Sequence, residues 1–276
     1  MKFHSLVLLA VIFSFPATAQ VSVMSYNIRY ATESDGENAW SKRKDYLAKQ
    51  VAFYEPGILG VQEALQEQLE YLDEELEDYK WFGEGRDGKN KGEFSAIFYN
   101  TQKFEVLDMG TFWLSETPHR ISIGWDAALN RICTYGLFRE KASGKEFYVF
   151  NTHFDHLGEV ARLRSAELIV EKIKNINAEN LPVVLMGDFN LEPASSALAP
   201  ILGYLNDAKA VASEVAYGPE GTFNGFKFHE PVTKRIDYVF TSHEGIEVLK
   251  HGVLSDSKDL KYPSDHFPVL VVLRLE

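Results

Sequence analysis

Cys133 is the only thiol in the chain. An intramolecular disulfide is therefore excluded, and so is a thiolate zinc cluster, which needs several cysteines. Within Ile132-Cys133-Thr134 the side chain reads as a small core residue rather than a nucleophile. Positive charge is also scarce: 28 Lys and Arg stand against 40 Asp and Glu, for a net charge of −12. Such a surface repels long polyanions, because sequence-independent nucleic-acid affinity comes mainly from Lys and Arg neutralising phosphates. There is no repeat, no low-complexity tract and no Pro/Ser-rich linker, so no internal domain boundary is placed. No strongly amphipathic or hydrophobic surface segment argues for tight membrane docking.

What is present begins with a leader. Lys2 supplies a positive n-region, Leu6–Phe15 an apolar stretch too short to span a bilayer, and Ala17-Thr18-Ala19 a small-x-small cleavage site. Residues 1–19 are expected to be a signal peptide. No cysteine follows to carry a lipid, so the mature chain, 20–276, is expected to be exported, periplasmic or extracellular. Its length suits one large single-core domain, and hydrophobic residues at 45% with aromatics at 13% supply the core.

Short β-branched or aromatic runs predict strands over Val21–Tyr26, Ile58–Val61, Ser95–Tyr99, Glu146–Asn151, Val183–Met186, Ile236–Phe240 and Val269–Leu275. Apolar positions at helical spacing predict helices over Trp40–Tyr54, ending at Pro56-Gly57, and over Ala64–Leu76 and Val160–Ile176. The segment Phe94–Leu114 reads as successive antiparallel strands. Mixed sheets with helices outside is the α/β class this supports.

Polar residues recur where these strands run out: Asn27, Glu63, His153, then Asp188 and Asn190. Asp265-His266 stands just before the last strand, and Asp237 lies within one. Carboxylates, amides and imidazoles at strand ends are the parts needed to hold a hard divalent cation and aim a water at phosphorus. Each has a plainer use taken singly. Asn27 serves as a turn residue, Glu63 as a helix N-terminal acid, Asp188-Phe189-Asn190 as an Asx-turn, and Asp265-His266 as a surface turn. Asp237 among apolar neighbours needs a partner whatever its role. Recurrence at strand after strand makes independent capping a poor account of the set.

In order, Ser25-Tyr26-Asn27-Ile28-Arg29, Gly60-Val61-Gln62-Glu63, Asn151-Thr152-His153-Phe154-Asp155-His156, Gly187-Asp188-Phe189-Asn190, Arg235-Ile236-Asp237-Tyr238 and Ser264-Asp265-His266-Phe267-Pro268-Val269 resemble the endonuclease–exonuclease–phosphatase superfamily. The Asn-Thr-His-Phe-Asp-His run is similar to the branch holding deadenylase-type and secreted bacterial members. The resemblance implies a four-layer α/β/β/α sandwich with the site at one edge of two packed sheets. It implies Glu63 as principal Mg²⁺ or Mn²⁺ ligand, with Asn27 beside it and Asp265 on the metal side. Asp188 would orient and deprotonate the attacking water, steadied by Asn190. His266 would face the phosphoryl group, its ring held by Asp237, and His153 would donate to the phosphate oxygens.

For substrate contacts the sequence offers Arg131, favoured over Arg162 and Arg164 as a phosphate clamp, and Asp155, which either supports a metal water or His153 or stands behind the groups that touch metal and substrate. Trp113 and Phe226 lie in aromatic loops that either floor a pocket or pack the sandwich edge. The expected activity is hydrolysis of a phosphodiester by in-line attack of an activated water, a nuclease among the options. The alternative is a sugar-, inositol- or lipid-headgroup phosphatase. A non-catalytic phosphate-binding module is disfavoured because Glu63, Asp188, Asn190 and His266 are all intact. The expected partner is a phosphorylated small molecule or short nucleic acid, and the chain is expected to act as a monomer.

Overall fold

Side-chain alternation along Val21–Tyr26 sets the architecture, since successive residues of a strand face opposite ways. Val21 and Val23 enter one apolar cluster, Met24 and Tyr26 another. A strand buried on both faces belongs to an inner layer. The structure, a computed structural model, describes residues 20–214 and 216–276. The expected signal peptide, 1–19, lies outside the described residues.

The elements run β1 Gln20–Asn27, α1 Trp40–Tyr54, β2 Ile58–Gln62, α2 Gln66–Glu75, β3 Tyr79–Phe82, β4 Ile97–Asn100, β5 Phe104–Trp113, β6 Ile132–Glu140 and β7 Glu146–His153. Then come α3 Glu159–Ile176, β8 Val183–Asp188, α4 Ala199–Leu202, β9 Asn206–Asp207, α5 Ala208–Val211, β10 Asp237–Thr241, β11 Ile246–Val253 and β12 Val269–Leu275. They form two six-stranded sheets, ordered β11-β12-β1-β2-β4-β3 and β5-β6-β7-β8-β10-β9. Between the sheets pack Val21, Val23, Val149, Val184, Val239 and Val271. Leu47 and Val51 of α1 and Leu69 and Leu72 of α2 cover the outer face of the first sheet. Ala166, Ile169 and Ile173 of α3 cover the second. This is the four-layer α/β/β/α sandwich.

The predicted helices hold, with small shifts at their ends. The second starts at Gln66 rather than Ala64, because Ala64 bridges to Phe94 and Glu63 adopts φ 62°. Phe94–Leu114 holds two successive strands, each antiparallel to its partners as expected, yet in different sheets: β4 pairs β2 and β3, whereas β5 pairs β6.

The sheets are stitched by polar groups as well as packed. Asn151 on β7 donates to Val61 O at 2.9 Å and Ala96 O at 2.8 Å, and accepts from Gln62 Nε2 at 2.6 Å. Gly60 makes this approach possible, since a Cβ there would lie 2.6 Å from Met186 Cε and 2.8 Å from Asn151 Cγ. The stitch sits directly behind the ends of β2 and β7, from which site residues project.

Candidate active site

Strand register brings the polar residues together. In the second sheet His153 pairs with Asp188 and Asp188 with Asp237, so three site residues stand abreast on β7, β8 and β10. In the first sheet β1 and β2 run parallel, with Asn27 opposite Gln62, so Asn27 and the following Glu63 leave the same edge. Gly187 allows the tight fit of β8 against β7 before Asp188, for a Cβ there would lie 2.0 Å from Thr152 O. Arg29, Glu63 and Asn190 all hold left-handed φ, at 55°, 62° and 50°. Non-glycine residues adopt that region at a cost, and such residues gather at functional sites.

Asn27 joins the two sheets. Its amide donates to Glu63 Oε1 and to Asp188 Oδ2, both at 3.0 Å, while its Oδ1 accepts from Arg29 N at 3.0 Å. Glu63 Oε2 accepts from Tyr30 N at 3.2 Å, with Arg29 Nη1 at 3.8 Å. Arg29 is gripped by Asp35 and stands 4.0 Å from Asp265 Oδ2. Asp188 Oδ1 accepts from Asn190 N at 2.9 Å, and Asn190 Nδ2 stands 3.2 Å from His153 Nε2.

The electrostatics of this group are unusual. Burial, reinforced by the charge of Asp237, pushes the Asp188 carboxyl up to about 7. Burial also raises Asp265. Burial and the nearby Arg131 drive His153 well below the usual imidazole range, so its ring is neutral at pH 7. Burial alone would lower His266 too, but Asp237 overrides it and its pKa rises to about 10. The link is a 2.9 Å contact from His266 Nδ1 to Asp237 Oδ2. Thr222 Oγ1 also donates to that oxygen and receives the backbone N–H groups of Ile236 and Asp237 at 3.1 Å. His266 Nε2 is left pointing towards Asp188 Oδ2, 3.8 Å away. Phe223 packs its ring edge-on against the imidazole at 5.0 Å.

Glu63, His153, Asp188, Asn190, Asp265 and His266 line a cleft of about 690 Å³ whose walls add cations: Arg29, Arg86, Arg131 and Lys234. A chain of net charge −12 thus turns guanidinium groups inward at one place. Arg131, expected as a phosphate clamp, lines the cleft. It is 5% exposed, 3.3 Å from Asp155 Oδ2 and 3.1 Å from His156 Nδ1.

Of the substrate-contact candidates, three stand outside the cleft wall. Asp155 is turned away, accepting from the N–H groups of Ala128, Leu157 and Gly158. Those bonds outweigh its burial and lower its pKa to about 2, so it anchors loops and Arg131. Trp113 is buried and donates through Nε1 to Arg86 O at 2.7 Å. Phe226 lies near the Arg43 guanidinium, and Phe223 takes the expected aromatic place in the wall. Sequence reasoning did not single out Arg86, Glu93 or Lys234. Arg86 sits in the glycine-rich stretch Gly83–Gly92, where no strand or helix pattern draws attention to it.

Comparison with known proteins decides the kinship. The sequence model of the Endonuclease/Exonuclease/phosphatase family matches residues 24–266. The chain belongs to that family. A family protein of known structure from Bacteroides thetaiotaomicron is 40% identical, with a TM-score of 0.89 over 94% of this chain and 98% of that one. A mannosyl-6-phosphatase from Bacteroides thetaiotaomicron VPI-5482 is 41% identical, with a TM-score of 0.87 over 92% of this chain and 99% of that one. Among sequence relatives, Probable RNA exonuclease NGL3 of Saccharomyces cerevisiae is 27% identical over 64% of this chain. Several curated relatives are longer: the chain spans 59%, 41% and 40% of the length of three of them. Family membership makes the protein a phosphoesterase-type hydrolase.

The family also implies a divalent cation, and the residues present fit one. Asp188, Asp237 and His266 offer ligand atoms within 4.8 Å of one another. Asp237, however, is engaged by His266 and Thr222, and an imidazole held protonated repels a cation. Glu63 and Asp265 line the same cleft and are hard oxygen donors of the kind Mg²⁺ and Mn²⁺ take, whereas Asn27 turns its amide NH2 towards Glu63 and its Oδ1 accepts from Arg29 N. The raised pKa values of Asp188 and Asp265 signal surplus buried negative charge that a cation would relieve.

Proposed function

We propose that the protein is an exported, metal-dependent phosphoesterase that hydrolyses the phosphate ester of a small phosphorylated sugar. The single observation that carries the hydrolytic part is the approach of the Asp188 carboxylate to within 3.8 Å of a His266 ring anchored by Asp237, both buried at one cleft. Such a pair separates the roles of base and charge stabiliser, as hydrolysis requires.

The cation, Mg²⁺ or Mn²⁺, would be held by Glu63 and Asp265 and would neutralise charge on the phosphoryl oxygens. Asp188, oriented by Asn190 N and Asn27 Nδ2, takes the proton of the attacking water as its oxygen bonds to phosphorus. His266 presents Nε2–H to the phosphoryl oxygens, with Asp237 fixing ring and charge. Neutral His153 and the amide of Asn190 hydrogen-bond beside it, and Arg29 supplies fixed positive charge. The bond from phosphorus to the leaving oxygen breaks, and that oxygen collects its proton from solvent. Among the described residues no Ser, Thr or Cys lines the cleft, which supports water as the nucleophile. Cys133 is buried elsewhere, and burial pushes its pKa up beyond nucleophilic use.

A monoester of a sugar is favoured by the mannosyl-6-phosphatase likeness and by a cleft of this size. The diester reading keeps support from the RNA exonuclease relative. One screen separates them: the mature chain with Mg²⁺ or Mn²⁺ against hexose phosphates, p-nitrophenyl phosphate, bis-p-nitrophenyl phosphate and short oligonucleotides. Inorganic phosphate released from the hexose phosphates is the expected result. Cleavage of the diesters alone would overturn the monoester assignment, and no cleavage of any substrate would overturn the hydrolase.

A further inference from the structure

Beyond His153 the cleft wall carries a second built group that the chemistry above does not use. Arg86 and Glu93 form a two-pronged pair, Nη1 to Oε2 and Nη2 to Oε1, both at 2.8 Å. Their side chains keep 13% and 17% of their surface accessible, and both line the cleft. The pair is rigidly mounted. Arg86 N donates to Glu93 O at 3.0 Å, Trp113 Nε1 holds Arg86 O, and Asn130 Nδ2 ties Asp87 to the neighbouring loop at 2.8 Å. Arg131 stands next to the pair in the same recess.

We propose that Arg86 and Glu93 form the specificity site for the leaving group, gripping neighbouring hydroxyls of a sugar whose phosphate lies against Asp188 and His266. This rests on the phosphoesterase reading. Even joined to each other, the Glu93 carboxylate has lone pairs left to accept from one hydroxyl and the Arg86 guanidinium has N–H groups left to donate to the next. A second phosphate is disfavoured by Glu93. A nucleobase needs an open aromatic face, and the aromatic residues in the wall are Tyr30 and Phe223. Tyr30 is covered by Arg29 at 4.3 Å, and Phe223 packs on His266 with Lys234 over its ring at 5.5 Å.

The test compares two phosphate esters in the wild type and in Glu93→Gln, both loaded with Mg²⁺. Mannose 6-phosphate carries hydroxyls, and p-nitrophenyl phosphate has none. The variant is expected to raise KM for mannose 6-phosphate by roughly 10- to 100-fold with little change in kcat, the loss of a hydrogen bond to a charged group. Turnover of p-nitrophenyl phosphate is expected to stay within about twofold, since nothing in the uniform phosphate contacts changes. A parallel fall on both substrates, or no change on either, overturns the proposal. If the variant does not fold, monodeoxy analogues of mannose 6-phosphate settle the matter with the wild type. Unchanged KM across the whole series would contradict it. Should the wild type hydrolyse neither ester, the phosphoesterase reading fails. Calorimetry in EDTA then still tests the pair, and mannose 6-phosphate binding no tighter than inorganic phosphate would overturn it.

Discussion

Four site residues, Asn27, Asn190, His153 and His266, lie within reach of the Asp188 carboxylate. Asp188→Asn is expected to lower kcat about 10³-fold on p-nitrophenyl phosphate with little change in melting temperature, measured by phosphate release and calorimetry. Asp237→Asn removes the charge that keeps His266 protonated, and is expected to cost about 10²-fold with a shifted pH profile. A separate titration governs stability. Burial lowers buried His251 to about 4, below its usual 6.5. A depressed folded value means the unfolded chain binds the extra proton first. The stability His251 contributes is therefore whole above pH 6.5 and lost as pH falls towards 4, by on the order of 3 kcal/mol. Urea midpoints should fall less steeply over that window in His251→Phe. At this scale much was legible. Asn27, Glu63, His153, Asp188, Asn190, Asp237, Asp265 and His266 converge because each sits at a strand end or beside one. Arg86 and Glu93 were not legible, since a glycine-rich loop has no periodicity to show which way a side chain turns.

Strands and helices were legible where their periods were clean. The predicted helix Trp40–Tyr54 coincides with α1, whose stop at Glu55, φ 44°, precedes Pro56-Gly57. Four strands, β3, β6, β9 and β11, were missed, two of them for plain local reasons. β3 spans only four residues, and β11 carries a register shift between Val248 and Lys250 that breaks its alternation. Which sheet a strand joins is not a local property at all, as β4 and β5 demonstrate. The Asn151 stitch belongs to this scale. Asn151→Leu leaves buried carbonyls of the facing sheet short of a donor and is expected to cost about 2–4 kcal/mol by urea denaturation. A loss below about 0.5 kcal/mol would mean that the sheets hold together by packing alone.

For the molecule as a whole, charge distribution carries more meaning than net charge. Acidic residues cover the exterior while Arg29, Arg86, Arg131 and Lys234 face the cleft, an arrangement that admits a small anion and discourages a long one. Among the described residues, no helix is long and apolar enough to cross a membrane. Export rests on Lys2, Leu6–Phe15 and Ala17-Thr18-Ala19, and N-terminal sequencing of protein recovered outside the cytoplasm is expected to begin at Gln20. Retention of Met1 in such material would contradict the leader. Light scattering is expected to give a monomer.

The account stands on a cation and a buried carboxylate acting together at one cleft. The most direct measurement is inorganic phosphate release from mannose 6-phosphate by the mature wild type and Asp188→Asn, each with Mg²⁺ and with EDTA. Turnover only in the wild type with Mg²⁺ is the predicted result. Equal turnover in EDTA, or an Asp188→Asn variant as fast as the wild type, would contradict it.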